Sequence, residues 1–256
     1  MSQKRIDQIL DIIKTQGYVT VQYLCRELHY STATINRDLN ELQRQKLIVR
    51  HYGGAELVER KGTPLVFRYH KMRPVKRVVS KKAADLIKEG MTIFIDGCTT
   101  TQYMAEYIRN IKNLTVITNN LNLVSYLSES GIKCICLGGT IVEAPYMTGG
   151  EDTARHAKTY TADLAFFSTG GVSADGNISE SNGYFGLHRA MLDRAKKSVY
   201  LVDHQKVGIS GARVLCDFSE VHTVISDFVF ADEVQARYPK TEFIYVETPK
   251  TQKEQT

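Results

Sequence analysis

Several things are missing from this chain, and each absence removes a class of function. No apolar run approaches the roughly 20 residues a helix needs to span a bilayer. No hydrophobic signal segment opens the sequence. Residues 2–15, SQKRIDQILDIIKT, have the period of an amphipathic helix instead. The five cysteines, Cys25, Cys98, Cys134, Cys136 and Cys216, are odd in number, and none forms a Cys-x-x-Cys pair. Neither a disulfide framework nor a zinc ribbon is expected. The seven histidines show no ligand spacing with cysteine or acidic residues, so no metal site is expected either. What remains is a globular chain with no cofactor, no membrane partner and a cytoplasmic location.

What is present begins at residues 31–42, STATINRDLNEL. Ile35, Leu39 and Leu42 fall at i, i+4 and i+7, one stripe of a helix. Ser31 is a good N-cap. Ala33, Asn36, Arg37 and Asn40 lie opposite the stripe, and Thr32 and Thr34 flank its start. Such a face is small, hydroxylic and cationic, and it suits a DNA major groove. Hydroxyls and N-terminal amides bind phosphate there, and Asn or Arg reads base edges. Upstream, Ile6, Ile9, Leu10 and Ile13 form a clean stripe that Gly17 ends. Thr20 caps a second short helix in which Val21, Leu24, Cys25 and Leu28 share a face. Only His29 and Tyr30 separate it from Ser31, as in a helix-turn-helix. Downstream, LIVRHYGGAELV (47–58) has two apolar arms about Gly53-Gly54, the pattern of a hairpin wing, with Arg50 and His51 at its polar edge. Three helices and a hairpin predict a winged helix-turn-helix over residues 1–58. The candidate DNA contacts are Ser31, Thr32, Thr34, Asn36, Arg37, Asn40, Arg50 and His51.

Charge agrees. Residues 1–73 hold 13 Lys and Arg against 7 Asp and Glu, and the remaining residues hold 20 against 21. A basic excess confined to the N-terminal part fits phosphate neutralisation and double-stranded DNA as partner.

Residues 59–75, which mix charge with Gly62, Pro64 and Pro74, read as a linker, and the polar residues 248–256 as a disordered tail. Between them, 76–247 alternates helices with apolar strands. KRVVSKKAADLIKEG is expected to be one helix ending at Gly90. The strands are MTIFI, LTVIT, IKCICL, DLAFFS, SVYLV, HTVIS and EFIYV. This pattern implies an α/β domain with a mainly parallel sheet. Polar and glycine clusters follow the strands, where open α/β sheets bind ligands. Asp96, Gly97, Cys98, Thr99, Thr100 and Thr101 stand between a strand and a helix and can cradle a phosphate. Asn119, Gly138, Gly139, Gly170, Gly171 and Lys206 are placed to line the same crevice, Lys206 as a point charge for an anion.

YSTATINRDLNELQRQKLIVRHYGGAE resembles the N-terminal motif of the DeoR family of bacterial transcriptional regulators. Thr34, Ile35, Arg37, Asp38, Leu39, Arg50, His51, Gly53, Gly54 and Ala55 match the family pattern. Asn36 stands where relatives commonly have Arg, and Lys46 where they often have Gly. Asn pairs well with adenine and Arg with guanine, so the operator does not carry over. DGCTTT, TVITNN, LGG and VDHQKVG follow the order of that family's C-terminal domain, which is similar to the sugar-phosphate isomerase and CoA-transferase fold. The resemblance implies a repressor of carbohydrate metabolism genes with a phosphorylated sugar as effector. It also places Asp96, Cys98, Thr99, Thr100, Thr101, Asn119, Gly138, Gly139 and Lys206 in the ligand loops. Residues 181–191 lack the acidic residues that relatives carry there.

Helix-turn-helix proteins usually occupy paired half-sites, so a homo-oligomer, dimer or tetramer, is expected. Two other functions fit parts of the sequence. A sugar-phosphate isomerase with an appended DNA-binding domain would need an acid–base pair, for which Asp96, Asp203 and Lys206 are the only nominees; no catalytic residue is assigned. A thiol switch would use Cys98, or Cys134 and Cys136, which share a strand face.

Overall fold

The computed structural model describes residues 2–16, 18–45, 47–51, 53–57, 68–69, 71–143, 147–180, 184–211 and 213–248. Most of the expected linker, nearly all of the expected tail, and residues 181–183 lie outside these. The chain divides into two compact units, Met1–Arg73 and Pro74–Thr256.

In the first unit, helix α1 (Ser2–Gln16) is followed by strand β1 (Tyr18–Thr20), helix α2 (Val21–Leu28) and helix α3 (Thr32–Arg44). Strands β2 (Ile48–His51) and β3 (Gly54–Leu57) then form the wing. The apolar stripes named from sequence meet in one core: Ile6, Ile9, Ile13, Leu24, Ile35, Leu39 and Leu42 are buried together. The caps form as expected. Thr20 accepts from the Tyr23 N–H and Ser31 from the Thr34 N–H. The wing carries a third strand that the alternation did not reveal. β1 pairs antiparallel with β3, which pairs with β2. Three residues are too short to show a period, and β1 exists because the wing offers it an open edge. Gly54 is required at this joint: a Cβ there would sit 2.3 Å from the Tyr18 hydroxyl and 2.5 Å from the Val19 carbonyl. Asp38, buried on α3, is held by Arg5 of α1, whose Nη2 donates to Oδ1 at 3.0 Å. This ion pair ties the first helix to the third.

The second unit opens with helix α4 (Arg73–Ala84), which corrects two expectations. The helix takes in the last three residues assigned to the linker, because Pro74 fits a first turn, where its missing N–H is not needed. It also stops short of Gly90: Leu86 and Ile87 donate three residues back, to Ala83 and Ala84, so the last turn tightens and ends. The chain continues through β4 (Thr92–Ile95), α5 (Ala105–Ile108), β5 (Thr115–Thr118), α6 (Leu121–Glu129) and β6 (Lys133–Cys136). A hairpin of β7 (Thr140–Glu143) and β8 (Met147–Gly149) precedes α7 (Glu151–Ala157) and β9 (Ala162–Phe167). Then come β10 (Gly171–Val172), β11 (Asn177–Glu180), α8 (Phe185–Arg194) and β12 (Ala195–Val202). The unit closes with β13 (Arg213–Asp217), β14 (Thr223–Ser226), α9 (Asp232–Arg237) and β15 (Glu242–Tyr245).

Seven of these strands form one sheet in the order β15-β14-β12-β9-β4-β5-β6, every neighbouring pair parallel. The expected α/β class is the observed one. Beside it lies a small antiparallel sheet, β10-β11-β13. β10 and β11 form a short hairpin, Gly171 opposite Ser179, whose first strand is too short to show a period, while β11 meets β13 over a long range, Ile178 opposite Cys216. From β4 the chain steps outward to β5 and β6, then returns to set β9 on the other side of β4 and steps outward again. The reversal of strand order therefore falls between β4 and β9. At such a point the loops leaving the two strands turn to opposite faces and open a crevice at the strands' C-terminal ends. Phe94, Ile117, Ala165, Phe167, Tyr200 and Val224 fill the core beneath it.

Among the described residues, no helix is long and apolar enough to cross a membrane.

Candidate functional site

Two regions carry the residues singled out from the sequence, one in each unit. On α3, Ser31, Thr32, Arg37 and Asn40 are exposed, while Thr34 and Asn36 are half-buried. Ser31 is shared between capping and a 2.9 Å hydroxyl contact with Thr34. Thr32 accepts from the Cys25 thiol at 3.7 Å. The side chain of His51 lies outside the described residues. Arg50 does not extend away from the wing. Its Nη1 donates to Oδ1 of Asn40 and its Nη2 to Oδ1 of Asn36, so a β2 side chain grips two α3 amides one turn apart. Sequence spacing suggested three separate contacts; the structure joins them into one clamp.

In the second unit, the 96–101 loop leaves β4 at the reversal point. Asp96 is its anchor and is 1 % exposed. Its carboxylate accepts from the N–H of Cys98 (3.2 Å), the N–H of Ser168 (3.0 Å), the Thr101 hydroxyl and His188 Nε2 (3.0 Å). The N–H of Ser168 comes from the loop after β9, so Asp96 staples the two sides of the crevice. Gly97 leaves room for Met147: a Cβ there would lie 2.1 Å from Met147 Sδ, so a larger residue would force that side chain to move. The threonines do not all face outward as a phosphate cradle of hydroxyls. Thr99, Thr100 and Thr101 are buried. Thr101 serves Asp96, and Thr99 accepts from Lys76 at 2.9 Å. Loop hydroxyls are consumed internally wherever buried donors and acceptors must be satisfied.

Lys206, after β12, reaches the same crevice. Its ammonium donates to Ser168 Oγ at 2.8 Å and to Thr100 Oγ1 at 3.5 Å. Both partners are neutral hydroxyls. No carboxylate lies within ion-pair distance of Lys206 among the described residues. Asn119, at the end of β5, donates to the Thr148 carbonyl at 2.7 Å, while its buried Oδ1 has no hydrogen-bond partner. Its Nδ2 would lie 3.2 Å from a Cβ at Gly97, which puts it beside the loop. Gly138 and Gly139 are exposed and are held by α7: Gly138 donates to His156 Nδ1 at 3.1 Å and accepts from Thr153 at 2.8 Å. The structure thus joins Asp96, Cys98, Thr99, Thr100, Thr101, Asn119 and Lys206, and gives the glycine pair a different partner. Gly171 opens β10 and packs against Ile209.

Four functional neighbours were not singled out in sequence: Lys76, Ser168, Glu180 and His188. His188 sits on α8 with Nε2 on Asp96 and Nδ1 2.9 Å from Glu180 Oε2. All three groups are buried. Burial disfavours the charged imidazole, but Asp96, Cys98 and Glu180 outweigh it and hold the pKa well above the ordinary histidine value. Burial likewise pushes Asp96 up, and His188, Ser168 and Thr101 more than reverse it. The sequence view that no histidine clusters with cysteine or acidic residues is corrected: Asp96, Cys98 and His188 bring ligating atoms within 4.8 Å of one another. They are 92 residues apart in chain position for the His–Asp pair, so spacing cannot show it. These atoms already engage one another and the backbone, since the Cys98 thiol donates to the Ser168 carbonyl at 2.8 Å. One signal was readable. His188 shares the core-facing side of its helix with Leu187 and Met191, and a histidine there needs buried partners.

The thiol reading loses ground here. Burial, then the charge of Asp96, pushes Cys98 up to about 11, so it stays an unreactive thiol at neutral pH. Burial also raises Cys134 and Cys136. Two open clefts of about 710 and 450 Å³ lie at the opposite, N-terminal ends of the strands, and none of the candidate residues lines them.

Residues 5–61 match a family model described as a DeoR-like helix-turn-helix domain, and residues 72–228 one described as the DeoR C terminal sensor domain. The glycerol-3-phosphate regulon repressor of Escherichia coli is 32% identical over 231 residues, covering 88% of this chain and 90% of that protein. The L-fucose operon activator of the same organism is 31% identical over 233 residues, covering 89% and 96%. Among solved structures, ribose 5 phosphate isomerase A from Neisseria gonorrhoeae overlays 56% of this chain and 55% of its own, with 13% identity and a TM-score of 0.40.

Proposed function

This chain belongs to the DeoR family of transcriptional regulators, and from that premise we propose how its two units divide the work. It is a DNA-binding regulator with a sugar-phosphate sensor domain, not an enzyme. The first unit presents α3 to an operator, with Ser31, Thr32, Thr34, Asn36, Arg37, Asn40, Arg50 and His51 at the interface. The second unit binds a phosphorylated sugar, or a related phosphorylated metabolite, in the crevice between β4 and β9, and represses carbohydrate genes according to its occupancy. The chain works in the cytosol as a homo-oligomer, because paired half-sites call for paired α3 helices. Effector control requires only that the metabolite bind the DNA-competent and incompetent states with different affinity.

The observation that carries the effector assignment is Lys206. An ammonium held by two hydroxyls and, among the described residues, by no carboxylate, at the mouth of a parallel sheet's reversal point, is a site built for an arriving anion. Asn119 Oδ1, buried with no hydrogen-bond partner beside Gly97, adds an acceptor for a sugar hydroxyl.

The test is fluorescence anisotropy of the full chain on duplexes from the DNA flanking its own gene. Titrations run with inorganic phosphate, glycerol phosphate, pentose and hexose phosphates, and the corresponding unphosphorylated sugars. Specific binding that changes with one phosphorylated compound, and not with its unphosphorylated form, is the expected result. An equal response to the unphosphorylated sugar removes the anion site from the reading.

Arg37 is the exposed cation in the middle of α3. Arg37→Ala is expected to cost about 1–3 kcal/mol of operator binding while leaving binding to random DNA much less affected. Equal losses on both duplexes would reduce its role to phosphate contact.

A further inference from the structure

The clamp between wing and recognition helix bears on which bases are read; this inference rests on α3 facing the groove. A guanidinium has only donors, so the atoms that Arg50 touches on Asn36 and Asn40 must be the carbonyl oxygens, and the amide orientations follow without ambiguity. The oxygen and nitrogen of a side-chain amide diverge from one carbon. With both oxygens drawn toward Arg50, both amino groups turn away from it. The two residues are one helical turn apart, so their amides share one face of α3.

Free asparagine recognises adenine by accepting from N6 with its oxygen while donating to N7 with its nitrogen. That pairing needs a good acceptor. Each carbonyl keeps a second lone pair, but a charge-assisted donor on the first leaves it a poor partner for a neutral amino group, and the guanidinium charge beside it repels the adenine amino hydrogens. The same charge attracts the two adjacent acceptors of guanine, O6 and N7. We propose that Arg50 is a positioning residue for base recognition: by holding the amide oxygens of Asn36 and Asn40 it presents a donor-only face, so that Asn36 reads guanine in place of adenine.

The experiment is selection from a duplex library with a randomised core, using the full chain and its Asn36→Ala, Arg50→Ala and Arg50→Lys variants. Circular dichroism and denaturation midpoints check that each variant is folded. Asn36→Ala identifies the position it reads, as the one whose preference collapses. The wild type is expected to select guanine there. Arg50→Ala is expected to swing the guanine-to-adenine ratio at that position by about tenfold or more toward adenine. Arg50→Lys keeps the charge but not the two-pronged grip, and is expected to recover affinity without recovering the guanine preference. Adenine at that position in the wild type overturns the proposal. So does an Arg50→Ala variant that weakens all sequences equally, keeps the base preference and lowers the salt slope by about one, which is the signature of a phosphate contact. Enrichment of no sequence by the wild type overturns the groove reading of α3, and this inference with it.

Discussion

His188→Ala is expected to destabilise the second unit by about 3–5 kcal/mol, a large part of the roughly 5–15 kcal/mol that holds a domain together. The reason is electrostatic rather than steric. His188 stands between Asp96 and Glu180, and its raised pKa makes it an imidazolium at neutral pH. Removing it takes the buried cation from Asp96, and a buried charge that loses its counter-ion is among the costliest defects a core can hold. Hydrogen exchange of the β4 and β9 peptides in the full chain reads the loss in the unit concerned. A loss under about 1 kcal/mol would mean that the carboxylates do not depend on His188.

The pH dependence has a definite sign. A group whose folded pKa is raised stabilises the fold fully below its unfolded value, about 6.5 for histidine, and less as pH rises through the folded value. Asp96, whose pKa is lowered, stabilises above its unfolded value and less as pH falls through the folded one. Protection of β4 and β9 is therefore expected to fall as pH rises above neutrality through the imidazolium's titration. His188→Ala should lack that slope.

Lys206→Ala is expected to weaken effector binding by about 10- to 100-fold, the value of a charge-assisted hydrogen bond of about 1.5–3 kcal/mol. Operator binding without effector should remain. Among the described residues Lys206 donates hydrogen bonds to Ser168 and Thr100, both of which keep other partners: Ser168 donates its N–H to Asp96, and the Thr100 carbonyl accepts from Ser80. Its removal therefore takes away a charge without unstitching the loop. Lys206→Arg keeps the charge in a different shape and should retain part of the response. Calorimetric titration with the active phosphorylated compound, paired with operator anisotropy, separates the two functions. A full response in Lys206→Ala would place the anion elsewhere.

Which of these features could be read from the sequence depends on distance along the chain. The helix of residues 32–44 declared itself through Ile35, Leu39 and Leu42 and through the Ser31 cap, because helical period and capping are local. The parallel sheet declared itself through alternation, and the loop at 96–101 through its place after a strand. The Arg50 clamp did not, because a β2 side chain and an α3 amide are neighbours only once the wing has folded back. His188 was missed for the same reason. Its partners lie on β11 and after β4, and no spacing rule connects them. The threonines are the converse case: composition suggested hydroxyls open to a ligand, whereas they are buried and engaged with Lys76, Lys206 and Asp96.

The seam between β4 and β9 has a kinetic meaning as well. Ile93 lies opposite Leu164, 71 residues away, while Thr92 lies opposite Thr115, 23 residues away. Closing the longer loop costs about 1 kcal/mol more in chain entropy, and such distant pairings are slow to find one another. In the function proposed above, a metabolite lying across this seam would act as a removable clasp between two stretches that stand 71 residues apart in the chain.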